Sequence, residues 1–146
     1  FSLALVGGGP LHESLVARYG NQPGATICIL GHIREKSALM AEYEAADFFV
    51  LPTHHEGFPR VLYEAMINAM VIVTTFVGGI PGLMKNGENC IEIPLKSPKV
   101  IADAIENLSR DAVQMQRLSE SGLETIMTVL NTYPSHLEAV KGALNA

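Results

Sequence analysis

Tryptophan is missing from this chain and cysteine is nearly so: 146 residues carry no Trp and two Cys, Cys28 and Cys90. Neither thiol has metal-ligand spacing to a partner, so a zinc module is excluded. Both read as free buried thiols of a reducing compartment. Basic residues are outnumbered, 10 Lys and Arg against 15 Asp and Glu, for a net charge of −5. That balance argues against nucleic acid as the main partner. No apolar run reaches the roughly 18–20 residues that span a bilayer, and no secretory leader is visible. Phe1 opens inside an apolar segment, so the expectation is a cytoplasmic protein whose natural amino end lies upstream. Any membrane association would then run through parts outside this sequence. There is no internal repeat and no low-complexity tract. What is plentiful is apolar: 48% of residues, with 17% charged. That composition predicts one folded domain over residues 1–146, large enough for a proper core.

Apolar runs alternate with helix-period stretches along the chain. A strand is expected over 2–6, then the turn Gly7, Gly8, Gly9 and a helix from Pro10 to Tyr19 with Leu11, Leu15, Val16 and Tyr19 on one face. The turn fails the dinucleotide pattern G-x-G-x-x-G, since His12 stands where the third glycine belongs. A second strand is expected over 26–30, then the loop His32, Ile33, Arg34 and a helix over about 36–46 facing its sheet with Leu39, Met40, Tyr43 and Ala46. Strands are expected again over 48–51, 71–75 and 90–93, the last at an edge. Asn86-Gly87 is a strong turn pair. Ser97 reads as a cap with Pro98 at the first helical position. That helix carries Val100, Ile101, Ala104, Ile105 and Leu108. A longer helix over about 111–130 turns Met115, Leu118 and Ile126 inward. Pro134 interrupts it, and a last helix holds Leu137, Val140 and Leu144. The strand–helix order predicts an α/β chain with a doubly wound parallel sheet.

The centre of this arrangement is residues 47–66. Phe48 to Leu51 is continuously apolar, as in a strand covered on both faces. Thr53, His54, His55, Glu56 and Gly57 form a polar turn. Pro59 suits the first helical position, where its missing N–H costs nothing. Val61, Leu62, Ala65, Met66 and Ala69 are expected to pack the helix on the sheet. Glu56 lies at the carboxyl end of the strand and Glu64 lies in the helix, seven residues between them. Ligands of open α/β sheets bind outside the carboxyl ends of the strands. A helix start offers free N–H groups and a positive dipole end to a phosphate. Glu64 lies roughly 7–8 Å along the helix from Pro59. A diphosphate-linked ligand would therefore meet Glu56 with one end and Glu64 with the other. Taken alone, the two read first as solvated surface carboxylates. His54, His55 and Glu56 are adjacent on an extended segment and point to opposite sides, which does not make a metal site. His12 and His136 read as ordinary helix histidines.

These blocks together resemble the E-x7-E motif of retaining GT-B glycosyltransferases of the family-four type. The resemblance runs through Val6-Gly7-Gly8-Gly9-Pro10, Leu30-Gly31, Ala45 to Pro52, Glu56-Gly57-Phe58-Pro59, Glu64-Ala65-Met66, Gly78-Gly79-Ile80-Pro81 and Asn86 to Asn89. It implies a Rossmann-like, carboxyl-terminal donor half of a two-domain enzyme, lacking its first strand and helix. The break at Tyr133-Pro134 resembles the family's carboxyl-terminal helix, which crosses back toward the other domain. The activity implied is transfer of a hexose-type sugar from a UDP- or GDP-sugar to a glycan or lipid-linked acceptor, in polysaccharide or cell-surface glycan synthesis. No cofactor and no metal are implied. By the resemblance Glu56 is catalytic, meeting hydroxyls of the transferred sugar near the reacting carbon. Glu64 accepts from the ribose hydroxyls. The amides of Gly57 and Phe58, and those beyond Pro59, face the sugar and diphosphate, with Arg60 and Val61 beside them. Gly7 and Gly8 form the glycine turn, and His32 and Ile33 lie on the base side. For both of these segments a plain turn or surface loop stays open. Two departures stand out: Gly82 replaces the usual acidic residue after Gly-Gly-x-Pro, and Cys90 replaces a frequent glycine. The acceptor domain and the basic diphosphate-binding pair are expected upstream, so this chain alone is expected to be inactive. A sugar-nucleotide epimerase of the same architecture, or a non-catalytic flavodoxin-like module, are the alternatives.

Overall fold

The strand polarity anticipated from the sequence is what the chain adopts. A computed structural model describes residues 1–20, 26–57 and 59–132. Phe58, the Tyr133-Pro134 break, His136 and the last expected helix lie outside the described residues. The chain falls into two compact units, residues 1–44 and the remainder, and every strand pair in both is parallel.

In the first unit, β1 (Leu3–Val6) pairs with β2 (Ile27–Gly31), and α1 (His12–Tyr19) and α2 (Lys36–Glu44) follow them. Leu3 pairs with Ile27, Leu5 with Ile29 and Val6 with Gly31, with an irregularity between Leu5 and Val6. Burial alternates along β2: Ile27 and Ile29 are half-buried, Cys28 and Leu30 exposed. Cys28 is therefore not the buried thiol expected, because it falls on the uncovered face of the pair. Leu11 lies outside α1 and is 69% exposed, because the helix starts only after a turn at Pro10. α2 stops at Glu44, so Ala46 does not face the sheet; Tyr43 is its buried anchor.

The second unit orders its strands β3 (Phe48–Leu51), β4 (Val71–Thr74) and β5 (Ile91–Glu92), with β4 in the centre. All four β4 residues are buried, whereas all four of β3 are only half-buried. β3, expected to be covered on both faces, is half-buried on each of them and lies at an edge of its sheet. Here α3 (Arg60–Ile67) packs Leu62, Ala65 and Met66 inward, and α5 (Ala112–Thr132) packs Leu118, Ile126 and Leu130. Val71, Leu108 and Leu118 form a cluster joined by Phe48, Ile91 and Met115. The helix α4 (Pro98–Leu108) supplies Leu108. Ser97 precedes it, but its hydroxyl donates to the Leu95 carbonyl and caps nothing. Ala69 does not pack on the sheet. It is exposed with φ +50° just past α3, where Met70 N–H donates to Ala65 and Ala69 N–H to Met66, the paired bonds of a Schellman stop. The Asn86-Gly87 turn forms as expected, with Gly87 at φ +75°.

Candidate functional site

In the second unit the site begins where the β3–β4 register ends, at Leu51 and Thr74. Glu56 follows on the loop and is half-buried; Gly57 is exposed. Pro59 is buried and has φ −75° and ψ 120°, so it is the cap residue of α3 and not its first helical residue. An extended ψ keeps it out of the helix, while its carbonyl accepts from Leu62 N–H at 3.1 Å. Pro59 has no side-chain acceptor with which to cap this helix start. Arg60 opens the helix exposed, and Val61 and Glu64 are half-buried. At 100° per residue Arg60 and Glu64 share the face opposite Leu62, Ala65 and Met66, with Val61 at its margin. The Glu64 carbonyl accepts from Asn68 N–H and from its side-chain amide at 2.9 Å. Burial raises the pKa of the neighbouring Tyr63 hydroxyl above its ordinary value.

The end of β3 and the loop carrying Glu56 are both held from the β4 side. Thr74 Oγ1 donates to the Leu51 carbonyl at 3.0 Å and Thr75 Oγ1 to the Thr53 carbonyl at 2.6 Å. Gly79 N–H donates to the Gly57 carbonyl at 2.7 Å. Gly78 has φ +56°, and a Cβ there would collide with the Glu56 carbonyl. Only glycine lets the two loops lie this close. Sequence reasoning flagged Gly78 and Gly79 as a glycine-rich loop but missed what they touch. It missed Thr74 and Thr75 altogether. Two hydroxyls at the end of an otherwise aliphatic strand were the available clue.

In the first unit, an open cavity of about 430 Å³ is lined by Gly8, Gly9, Pro10, His12, Glu13, Gly31 and His32. Gly8 and His32 were expected at such a place. Gly7 and Ile33 do not line it, though Gly7 N–H ties the turn to the Gly31 carbonyl at 2.7 Å. His12, read from sequence as an ordinary histidine, forms part of the wall. Gly31, at φ +65°, brings its backbone against the His12 ring, whose Cε1 would lie 3.1 Å from an added Cβ. His54 and His55 are exposed. Among the described residues no three His, Cys, Asp or Glu are grouped so as to hold a metal ion. None of the described helices is long and apolar enough to cross a membrane.

Set beside known proteins, residues 1–111 match the family model described as glycosyl transferases group 1. D-inositol 3-phosphate glycosyltransferase of Corynebacterium glutamicum (strain R) is 33% identical over 95 residues, covering 65% of this chain and 23% of its own length. A putative teichuronic acid biosynthesis glycosyltransferase, TuaC of Bacillus subtilis, is 32% identical over 82 residues, 56% of this chain and 21% of its own length. This chain therefore spans less than a quarter of either relative. Anabaena HepE, solved with UDP-glucose, superposes with a TM-score of 0.70 at 20% identity over 94% of this chain and 41% of that one.

Proposed function

Since the chain belongs to the group 1 glycosyl transferases, we propose that it binds the nucleotide diphosphate sugar for a glycosyl transfer. Retention of anomeric configuration, a hexose-type sugar and a glycan or lipid-linked acceptor complete the reading. Acceptor recognition is assigned to an amino-terminal domain outside these 146 residues, and the pathway to polysaccharide or cell-surface glycan synthesis. A relative named for teichuronic acid biosynthesis supports the pathway. A neighbour of the same fold solved with UDP-glucose makes a UDP-sugar the first donor to test.

One observation carries the proposal: half-buried Glu56 lies in the loop after a parallel strand, just ahead of a helix start whose cap residue, Pro59, has no side-chain acceptor for its N–H groups. Such a helix start stabilises an anion through its N–H groups and dipole. Fixed positioning of this kind is what transfer from a diphosphate leaving group requires, since the departing charge must be met by dipoles already in place. Glu56 takes the hydroxyls of the transferred sugar, and Glu64, an acceptor-only group, takes those of the ribose. Contact with the diphosphate is assigned to the amides of Gly57 and Phe58 and of the first turn of α3, and Arg60 adds a positive charge. Val61 lines the same helix start. In the first unit, Gly7, Gly8, His32 and Ile33 are assigned to nucleotide contact.

The test is an NMR titration of the 146-residue chain with UDP, GDP and UDP-glucose. Saturable shifts at the Gly57, Arg60 and Glu64 amides are expected. Should none of the three ligands move these signals, the assignment fails.

A further inference from the structure

We propose that Thr75 is a positioning residue that fixes Glu56 by holding the loop 53–57 in shape. The inference rests on the reading of Glu56 as the carboxylate that meets the transferred sugar. The parallel ladder between β3 and β4 reaches Leu51 and Thr74, and Thr75 N–H extends it to the Leu51 carbonyl only at a long 3.4 Å. Pro52 follows Leu51 and has no N–H, so β3 offers no donor with which to continue. The next carbonyl, that of Thr53, is instead taken by a side chain, the Thr75 hydroxyl, at 2.6 Å. From there the loop is tied at short intervals. Thr53 Oγ1 donates to the His55 carbonyl at 3.3 Å, and Gly79 N–H to the Gly57 carbonyl at 2.7 Å. Glu56 thus lies between two restrained carbonyls, with Gly78 against its own.

These ties differ in how far water competes with them. Thr53 is half-buried with an exposed hydrogen bond, and Gly79 is exposed. Thr75 is 1% exposed. Its bond to the half-buried Thr53 is part-buried, so water competes with it less than with the exposed ties, and it carries most of the restraint. Thr74, equally buried, bonds back to Leu51 within the ladder and does not reach the loop. The distinction between two adjacent buried threonines makes the inference specific. A carboxylate that must discriminate a sugar hydroxyl has to be held to well under an ångström, which an untied loop does not provide.

Thr75→Val keeps the shape and removes the hydroxyl; Thr75→Ser restores it. Exchange of the Gly79 N–H, whose acceptor is the Gly57 carbonyl of this loop, is expected to speed up about tenfold or more in T75V and to return toward the original rate in T75S. Affinity for UDP-glucose should fall about tenfold while affinity for UDP changes less than about twofold. Thr74→Val serves as the control and should leave both exchange and ligand preference unmoved. Unchanged exchange in a folded T75V, or an equal effect from T74V, overturns the proposal. If T75V does not fold, the unsubstituted chain still decides it: a Thr75 hydroxyl proton that exchanges with water too fast to be seen by NMR overturns the proposal. If the unsubstituted chain binds neither ligand, the reading of Glu56 is what has failed, and the exchange data still decide the anchoring.

Discussion

The two units use the same grammar with unequal interiors. β1 reads Leu-Ala-Leu-Val and β3 reads Phe-Phe-Val-Leu, and each is followed by a glycine-bearing turn and a helix. Yet among the described residues every buried apolar side chain except Tyr43 belongs to the second unit. In the first, Leu3, Val6, Leu11 and Leu30 stand 40–69% exposed. Apolarity along a strand thus predicts that it is a strand, not that it is buried. Burial depends on how many neighbours the strand and its helices acquire. β4 has a strand on each side, and both α3 and α5 pack against it. Where that interior closes, a loop can be tied to it by part-buried hydrogen bonds. In the first unit the corresponding turn is held mainly by the Gly7–Gly31 bond and by the His12 ring against Gly31.

The sharpest way to break this contrast is at glycine. Gly78→Ala drives a Cβ into the Glu56 carbonyl at a positive φ, and the contacted atom is backbone that cannot swing away. We expect a loss of about 4 kcal/mol or more in chemical denaturation. Gly9→Ala meets nothing within 4 Å and has no positive φ, so it should cost less than about 1 kcal/mol. Equal stabilities for the two variants would mean that the loop after β4 does not grip the loop after β3.

A smaller effect separates the interiors themselves. Leu118 is fully buried on β4 beside Val71 and Leu108. Leu118→Ala should cost about 3 kcal/mol through lost transfer energy and a residual cavity. Leu3→Ala removes a side chain already 44% exposed and should cost less than about 1 kcal/mol. A similar loss at both positions, read from denaturation midpoints, would remove the distinction drawn between the units.

Much of this architecture was legible because strands and helices here carry local marks: short apolar runs, Pro98 at a helix start, Asn86-Gly87 at a turn. Glu56 and Glu64 were legible as a pair because one strand–turn–helix unit carries both. What could not be read was anything set by partners distant in sequence. Thr75 lies 22 residues from the carbonyl it holds. Gly78 is required by a peptide equally remote. Asn89, quoted as part of a family block, proves to be buried and satisfied by Lys85, Leu83 and Thr125, a structural post with no side-chain atom left over for a ligand. Ser97 had the right residue type for a cap, but its hydroxyl found a nearer carbonyl. Side-chain chemistry narrows the possibilities for such positions, and only the tertiary neighbours choose among them.

The two cysteines report the same contrast with the smallest perturbation. Cys90 is fully buried, and its thiol pKa is pushed up to about 12 by burial, with the nearby Glu92 charge adding to it. An unfolded chain releases this proton near the ordinary thiol value of about 8.5. Between that value and the folded one, the unfolded state binds fewer protons than the folded state, so stability falls as pH rises. The contribution is fully present below about pH 8 and should shrink by about 1–2 kcal/mol by pH 10. Cys90→Ala has no thiol to titrate, so the difference between its pH–stability curve and that of the unsubstituted chain isolates the effect from other alkaline groups. Cys28 lies on the open face of β2 and should be alkylated by iodoacetamide in the folded protein while Cys90 stays unmodified. Mass spectrometry after brief labelling at pH 8 distinguishes them. Comparable labelling of both thiols would mean that the second unit opens as readily as the first, and the tied loop would then lose the closed interior it depends on.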